Sequence, residues 1–213
     1  MPMTNEDDVP HGEDFHDPAT AAAWAEAVVR KRPWRPKVFD HFVARVNAAR
    51  AARARILELG SGPGFLAEQI LDRCSGVLRY TLLDFSDAML SLSRSRLQRH
   101  APKTQFLQAD FKNELWPSLA QGPFDFVLSL QAVHELRHKR HAPRLYAQLV
   151  PLLSHGAEVM ICDHLPEGAH TERHRVLYLS IPENLQALTD AGLADAEVLW
   201  SEHNMALYRA RTP

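Results

Sequence analysis

Nine residues, Ile56-Leu57-Glu58-Leu59-Gly60-Ser61-Gly62-Pro63-Gly64, join an apolar run to a glycine-rich turn that opens a helical pattern. Such a turn holds nucleotide-type ligands, because a side chain at Gly60 or Gly62 would keep the ligand off the backbone. Asp84 follows about twenty residues later, where a carboxylate at a strand end can accept hydrogen bonds from both ribose hydroxyls. Asp110-Phe111 sets an acceptor beside an aromatic ring, which suits an adenine: its exocyclic amine donates and its ring stacks. Glu58 can accept from an ammonium group. Together the three acids suit a ligand with an adenosine end and a positively charged amino-acid end. A dinucleotide fits less well, because the turn reads G-x-G-x-G, Phe65 stands where that fingerprint has its third glycine, and Glu58 would repel a pyrophosphate.

These residues need elements that place them at one end of a sheet. Helical spacing predicts an alanine-rich helix over 19–30 and a second carrying Val38, Phe39, Phe42, Val43 and Val46, with the two prolines of 31–36 between them. From residue 55 the pattern alternates. Strands are expected at 56–59, 80–84, 104–108, 124–130 and 158–162, with helical faces after the first (Phe65, Leu66, Ile70), the second (Met89, Leu92, Leu97) and the fourth (Leu145, Tyr146, Leu149, Leu153). Ser86 should cap a helix with Asp87 in its first turn, where the dipole favours an anion. A helix from about Pro182 should end at Gly192. The runs 196–200 and 205–209 are separated only by the polar 201–204, too little for a crossover, so they should form an antiparallel hairpin. The expected fold class is α/β: a Rossmann-like, doubly wound, mostly parallel sheet of about seven strands with a C-terminal antiparallel hairpin strand. Three segments are expected: a polar mobile arm at 1–17, helices forming a substrate cover at 18–54, and the ligand-binding domain at 55–213. In such a sheet the ligand lies at the carboxyl ends of the strands, where the loops of strands one and four face each other.

Composition bounds the partners. A chain of 213 residues, 46% hydrophobic and 23% charged, can bury one large core, and its formal charge of −2 gives no global basic field. Nucleic acid is therefore not the expected partner. Cys74 and Cys162 lack metal-ligand spacing and read as buried thiols. The acidic Glu6, Asp7 and Asp8 are followed by no apolar stretch, and no run nears the ~18 apolar residues of a membrane span, so a cytoplasmic protein without a membrane partner is expected.

Glu58-Leu59-Gly60-Ser61-Gly62-Pro63-Gly64, Leu83-Asp84-Phe85-Ser86-Asp87-Ala88-Met89-Leu90, Gln108-Ala109-Asp110-Phe111 and Phe124-Asp125-Phe126-Val127-Leu128-Ser129 resemble, in order and spacing, the successive motifs of class I S-adenosylmethionine-dependent methyltransferases. The resemblance covers roughly residues 50–213. It implies S-adenosyl-L-methionine as cofactor, leaving S-adenosyl-L-homocysteine, with Gly60, Ser61, Gly62 and Gly64 around the methionine moiety and Glu58 nearby. It also implies Asp84 on the ribose, Phe85 and Met89 against the adenine, Asp110 at its amine with Phe111 beside it, and Leu130 near the sulfonium. Leu152-Leu153-Ser154-His155-Gly156-Ala157 resembles the family's turn into strand five, with His155 and Ala157 replacing a proline and a second glycine.

Methyl transfer from a sulfonium is an in-line displacement, so the protein must align the acceptor, exclude water and remove a proton if the acceptor carries one. His134, after strand four, is the candidate general base. The basic run Arg137-His138-Lys139-Arg140-His141 reads first as a solvated loop and helix start, and second as an attractor of anions or RNA. His164, His170 and His174 with Asp163 and Glu172 match no zinc spacing, so no metal site is expected. The segment 163–181, with Trp24, Trp34 and Arg35, is the expected cover over a small-molecule acceptor at O, N or C. The alternatives are a catalytically silent S-adenosylmethionine-binding interaction module, an NAD-linked oxidoreductase, and an RNA-directed methyltransferase.

Overall fold

The computed structural model describes residues 8–49 and 53–213. Seven strands form one mixed sheet in the order β3-β2-β1-β4-β5-β7-β6, and the described residues group into two compact units, 12–109 and 8–11 with 110–213.

In the unit 12–109, α1 (Pro18–Lys31) opens with Pro18 in its first turn while the Asp17 carboxylate accepts from the Thr20 amide, and it buries Ala21, Ala25 and Val28 at helical spacing. α2 (Arg35–Ala48) tolerates Pro36 in the same way and buries Val38, Phe42, Val43 and Val46. The strands β1 (Ala54–Leu59), β2 (Val77–Asp84) and β3 (Thr104–Gln108) pair in parallel, with Leu59 beside Leu83 and Asp84 beside Gln108. Ile56 to Leu59 are buried without alternation, as a strand covered on both faces requires. α3 (Phe65–Arg73) and α4 (Asp87–Arg96) follow β1 and β2 directly. The expected Ser86 cap is present, its hydroxyl accepting from the Met89 amide at 3.0 Å.

The second unit contains α5 (Trp116–Leu119), β4 (Phe124–Leu130), α6 (Ala142–Leu149), β5 (Leu153–His164), α7 (Glu172–Arg175), α8 (Ile181–Asp190), β6 (Ala194–Glu202) and β7 (Met205–Arg211). β4 and β5 are parallel, whereas β7 runs antiparallel to both β5 and β6. α8 begins with a capping box between Ser180 and Glu183. It ends as expected at Gly192, where the Leu193 amide donates to the Leu188 carbonyl and the Gly192 amide to that of Thr189. The hairpin is tighter than expected: only His203 and Asn204, both at positive φ, make its turn.

Strand five differs from expectation. The stretch 152–157 is not a free turn, because β5 already begins at Leu153, and the register shifts so that Phe124 faces Leu153 while Phe126 faces Glu158. Gly156, at φ 70, lets the strand absorb the extra residues as a bulge.

Of the expected arm at 1–17, residues 1–7 lie outside the described residues. Val9 is buried, its amide donates to the Arg137 carbonyl, and Asp8 pairs with Arg140 and His141. Among the described residues no helix is long and apolar enough to cross a membrane.

Candidate functional site

The glycine turn is fixed from several sides. Gly60, Gly62 and Gly64 all have positive φ. The Ser61 amide donates to the Leu83 carbonyl, the Gly62 amide to Asp84 Oδ2 at 2.8 Å, and the Ser93 hydroxyl to the Gly62 carbonyl at 2.7 Å. Arg96 Nε donates to the Pro63 carbonyl at 2.8 Å. Asp84 accepts from the Ser86 amide on its other oxygen, at 2.9 Å, so this acid ties the glycine turn to the start of α4. Sequence reasoning gave Asp84 the ligand role and missed this structural one.

Beneath the turn, Glu58 is 2% exposed and accepts a hydrogen bond from the Tyr80 hydroxyl at 2.7 Å. Burial pushes its carboxyl up to about 8, against the Tyr80 hydrogen bond and the positive charge of Arg35. Phe85 is half-buried, with the His16 ring edge-on at 5.0 Å, and Met89 is buried. The Ser86 hydroxyl also donates to the Phe15 carbonyl, which holds residues 15 and 16 over this turn.

Two observations test whether the amino-acid end of S-adenosylmethionine suits this cradle. A Cβ at Gly62 would meet nothing within 4 Å, so there is room above the backbone. Ser61 Oγ is buried and has no hydrogen-bond partner among the described residues, which leaves a donor-acceptor group for a polar ligand. With Glu58 as acceptor, the donor set fits that ligand.

The second unit carries the other expected residues. Asp110 is exposed and accepts from the Lys112 amide at 2.8 Å, Phe111 is buried beside it, and Leu130 closes β4. After β4 the chain turns through Gln131 at φ 58, an uncommon conformation for a residue with a side chain. This leads to His134, which sits among groups that sequence reasoning did not connect to it. His134 Nδ1 lies 2.7 Å from Asp163 Oδ1, its own amide donates to Asp163 Oδ2 at 2.9 Å, and its Nε2 is 3.3 Å from Glu135 Oε1. The rings of His164 and Tyr178 lie 5.3 and 5.8 Å away. Burial disfavours the imidazolium, but the charge and hydrogen bond of Asp163, joined by Glu135, outweigh it and raise the imidazole to about 10. His134 is therefore a cation at neutral pH with both ring nitrogens facing carboxylates.

His170, His174 and Glu172 are not part of the one cluster of metal-ligating residue types found among the described residues. His134, Asp163 and His164 offer ligand atoms within 4.8 Å of one another. Within that cluster the 2.7 Å contact between His134 Nδ1 and Asp163 Oδ1 is a hydrogen bond. The basic run is largely paired with acids: Arg137 with Glu135, Lys139 with Glu183, and Arg140 and His141 with Asp8.

Residues 56–156 match the family described as a methyltransferase domain. The chain is 31% identical over 183 residues to a trans-aconitate 2-methyltransferase of Delftia acidovorans, covering 78% of this chain and 62% of that protein. It is 26% identical over 170 residues to a malonyl-[acyl-carrier protein] O-methyltransferase of a Paenibacillus species, covering 71% of this chain and 59% of that one. The chain thus spans about three-fifths of the length of these relatives. In fold it is similar to an O-methyltransferase family protein from Burkholderia thailandensis, with a TM-score of 0.72 at 18% identity over 93% of this chain and 61% of that one. The glycine turn, its acidic partner Asp84 and the mixed sheet accord with these likenesses, in which residues 56–156 match a methyltransferase domain and the chain is similar in sequence and fold to methyltransferases.

Proposed function

We propose that this chain transfers a methyl group from S-adenosylmethionine to an oxygen, nitrogen or carbon atom of a small molecule. The observation that carries the reading is the glycine turn bound through the Gly62 amide to Asp84, with room above Gly62 and buried Glu58 beneath. When bound, the cofactor supplies a methyl group activated by a positively charged sulfur. Gly60, Ser61, Gly62 and Gly64 would hold its amino-acid end, with Glu58 accepting from the ammonium. Asp84 would accept from the ribose, and Phe85 and Met89 would flank the adenine. Asp110, Phe111 and Leu130 take their roles from the family resemblance.

His134 is the candidate for handling an acceptor proton, but it starts charged. To act as a base it must first lose its own proton and release Nε2 from Glu135. An acceptor that is already anionic at neutral pH, such as a carboxylate, needs no base. trans-Aconitate and malonyl groups, named for the two relatives, are carboxylates, which favours an acid-bearing acceptor for this chain too. His134 with Asp163 would then keep the loop after β4 in place.

Calorimetry with S-adenosylhomocysteine and NAD, followed by single-turnover transfer of labelled methyl to a panel of small carboxylic acids, amines and phenols, tests this. Binding of S-adenosylhomocysteine and labelling of an acid is the expected result. Tight binding with no transfer to any acceptor would favour the silent module, and preferential binding of NAD would overturn the reading.

A further inference from the structure

We infer that His164, at the end of β5, and Tyr178, ahead of α8, donate hydrogen bonds to a carboxylate of the methyl acceptor, so that they and not His134 select its class. The inference rests on the proposed transferase reading and deepens it, and it concerns two residues outside the 56–156 match.

The two side chains meet where neighbouring parallel strands end. β4 stops at Leu130 and β5 at His164, and ligands of an open α/β sheet bind outside the carboxyl ends of its strands. The centre of the His164 ring lies 5.3 Å from that of His134 and 5.4 Å from that of Tyr178, and Tyr178 lies 5.8 Å from His134. All three residues are half-buried, so each keeps surface toward solvent. The backbone fixes their positions. Gln131 stands at φ 58, its amide donates to the Cys162 carbonyl at 2.7 Å, and its side-chain nitrogen lies 3.0 Å from His164 Nε2. A left-handed conformation in a residue with a side chain is costly, and it recurs at ligand sites. The loop carrying Tyr178 is held by the buried Leu177 and by the Lys139 amide, which donates to the Val176 carbonyl at 2.7 Å.

Both ring nitrogens of His134 already face carboxylates, those of Asp163 and Glu135, so this ring has no N–H to give an acceptor. His164 differs. An amide nitrogen only donates, so His164 Nε2 accepts from Gln131 and the ring proton sits on Nδ1, which can donate. Tyr178 supplies a phenolic hydroxyl. The charges of Asp163 and Glu135 are matched by those of His134 and Arg137, so they oppose an incoming anion little. Donors on one oxygen of a carboxylate leave the lone pairs of the other able to attack a methyl group. The competing account is that the three rings only pack the loops together. That role needs the ring shapes, whereas the proposed one needs the N–H and the O–H.

Tyr178→Phe and His164→Phe separate the two, because each keeps a ring and removes a donor. Steady-state transfer by the full chain to the carboxylic acid that the wild-type protein labels fastest gives KM and kcat, and calorimetry with S-adenosylhomocysteine reports that a variant is folded. Each Phe variant is expected to raise KM for the acid by about tenfold or more, with kcat and affinity for S-adenosylhomocysteine within about twofold of wild type, because one hydrogen bond to a charged group is lost. His164→Asn, whose amide can donate from near the place of Nδ1, should recover part of the loss. An unchanged KM in both Phe variants overturns the assignment, as does a loss of affinity for S-adenosylhomocysteine in step with the rise in KM in both. Labelling of amines or phenols alone by the wild-type protein also overturns it and leaves the transferase reading intact. If nothing is labelled, the transferase reading itself falls and takes this inference with it.

Discussion

Asp163 and His134 are 29 residues apart, yet one carboxylate holds both the ring and the amide of the histidine. The register explains the meeting: Leu130, the last residue of β4, pairs with Cys162, so the chain leaving β4 passes beside Asp163, the next residue of β5. The sign of the pH effect follows from the raised imidazole. The ion pair stabilises the fold fully below the unfolded value near 6.5, and that stability is lost as pH rises through about 10. Asp163→Asn should therefore destabilise most near pH 6–7, by about 3 kcal/mol as expected for a broken buried pair, and progressively less toward pH 10. In the wild-type protein the His134 ring resonances should not titrate by NMR between about pH 5.5 and 8, whereas in the variant they should. A wild-type His134 that titrates near 6.5 would mean that Asp163 does not hold it charged. What the sequence revealed at this scale was local. Glu58, the glycines and Asp84 are readable because their spacing along a strand and turn is itself the signal. His134 was recognisable by type, but its charge state depends on Asp163 and Glu135, and only the pairing of β4 with β5 brings Asp163 to it.

Elements were most legible where a single residue type enforces a backbone conformation. Ser86 and Gly192 marked helix ends correctly, and the two β-type runs at the C-terminus could only form a hairpin. The start of β5 was not legible, because a glycine at positive φ serves a bulge as readily as a turn. The glycine turn allows the same distinction to be tested by substitution. Gly62→Ala faces open space and pays only the left-handed backbone, about 1 kcal/mol. Gly64→Ala adds a Cβ 3.0 Å from Ser93 Oγ and 3.3 Å from its Cβ, so overpacking between the turn and α4 should bring the loss to about 3 kcal/mol. Thermal unfolding should rank them in that order. Binding of S-adenosylhomocysteine should separate them further, since Gly62→Ala is expected to lose about tenfold or more despite its near-native stability. A Gly62→Ala protein that binds like wild type would show that the open space above this residue is not where the ligand lies.

For the molecule as a whole, the least legible feature is the polar N-terminal stretch, whose lack of periodicity suggests a mobile arm. In the structure Arg137 Nε donates to the Val9 carbonyl at 2.9 Å and Nη2 to that of Pro10 at 2.6 Å, while the Val9 amide donates back to the Arg137 carbonyl. His11 adds a contact to Glu135, the same carboxylate that faces His134. None of this leaves a pattern in the sequence, because backbone carbonyls do the accepting and only Val9 is apolar. These contacts have a measurable consequence. A chain beginning at residue 12 loses the burial of Val9, worth about 1 kcal/mol, and two acceptors of a guanidinium that is 8% exposed at the residue level, although water can partly replace them once the segment is gone. A total near 2 kcal/mol corresponds to a fall in Tm of roughly 4–8 °C for a chain of this length. Val9→Asp in the full chain should destabilise by a comparable amount, because it buries a charge at the same place. Both effects should appear by calorimetry with helical content unchanged. If the shortened chain melts within about a degree of the full one, residues 8–11 contribute no net stability, and their contact with Glu135 cannot help to hold that carboxylate on His134.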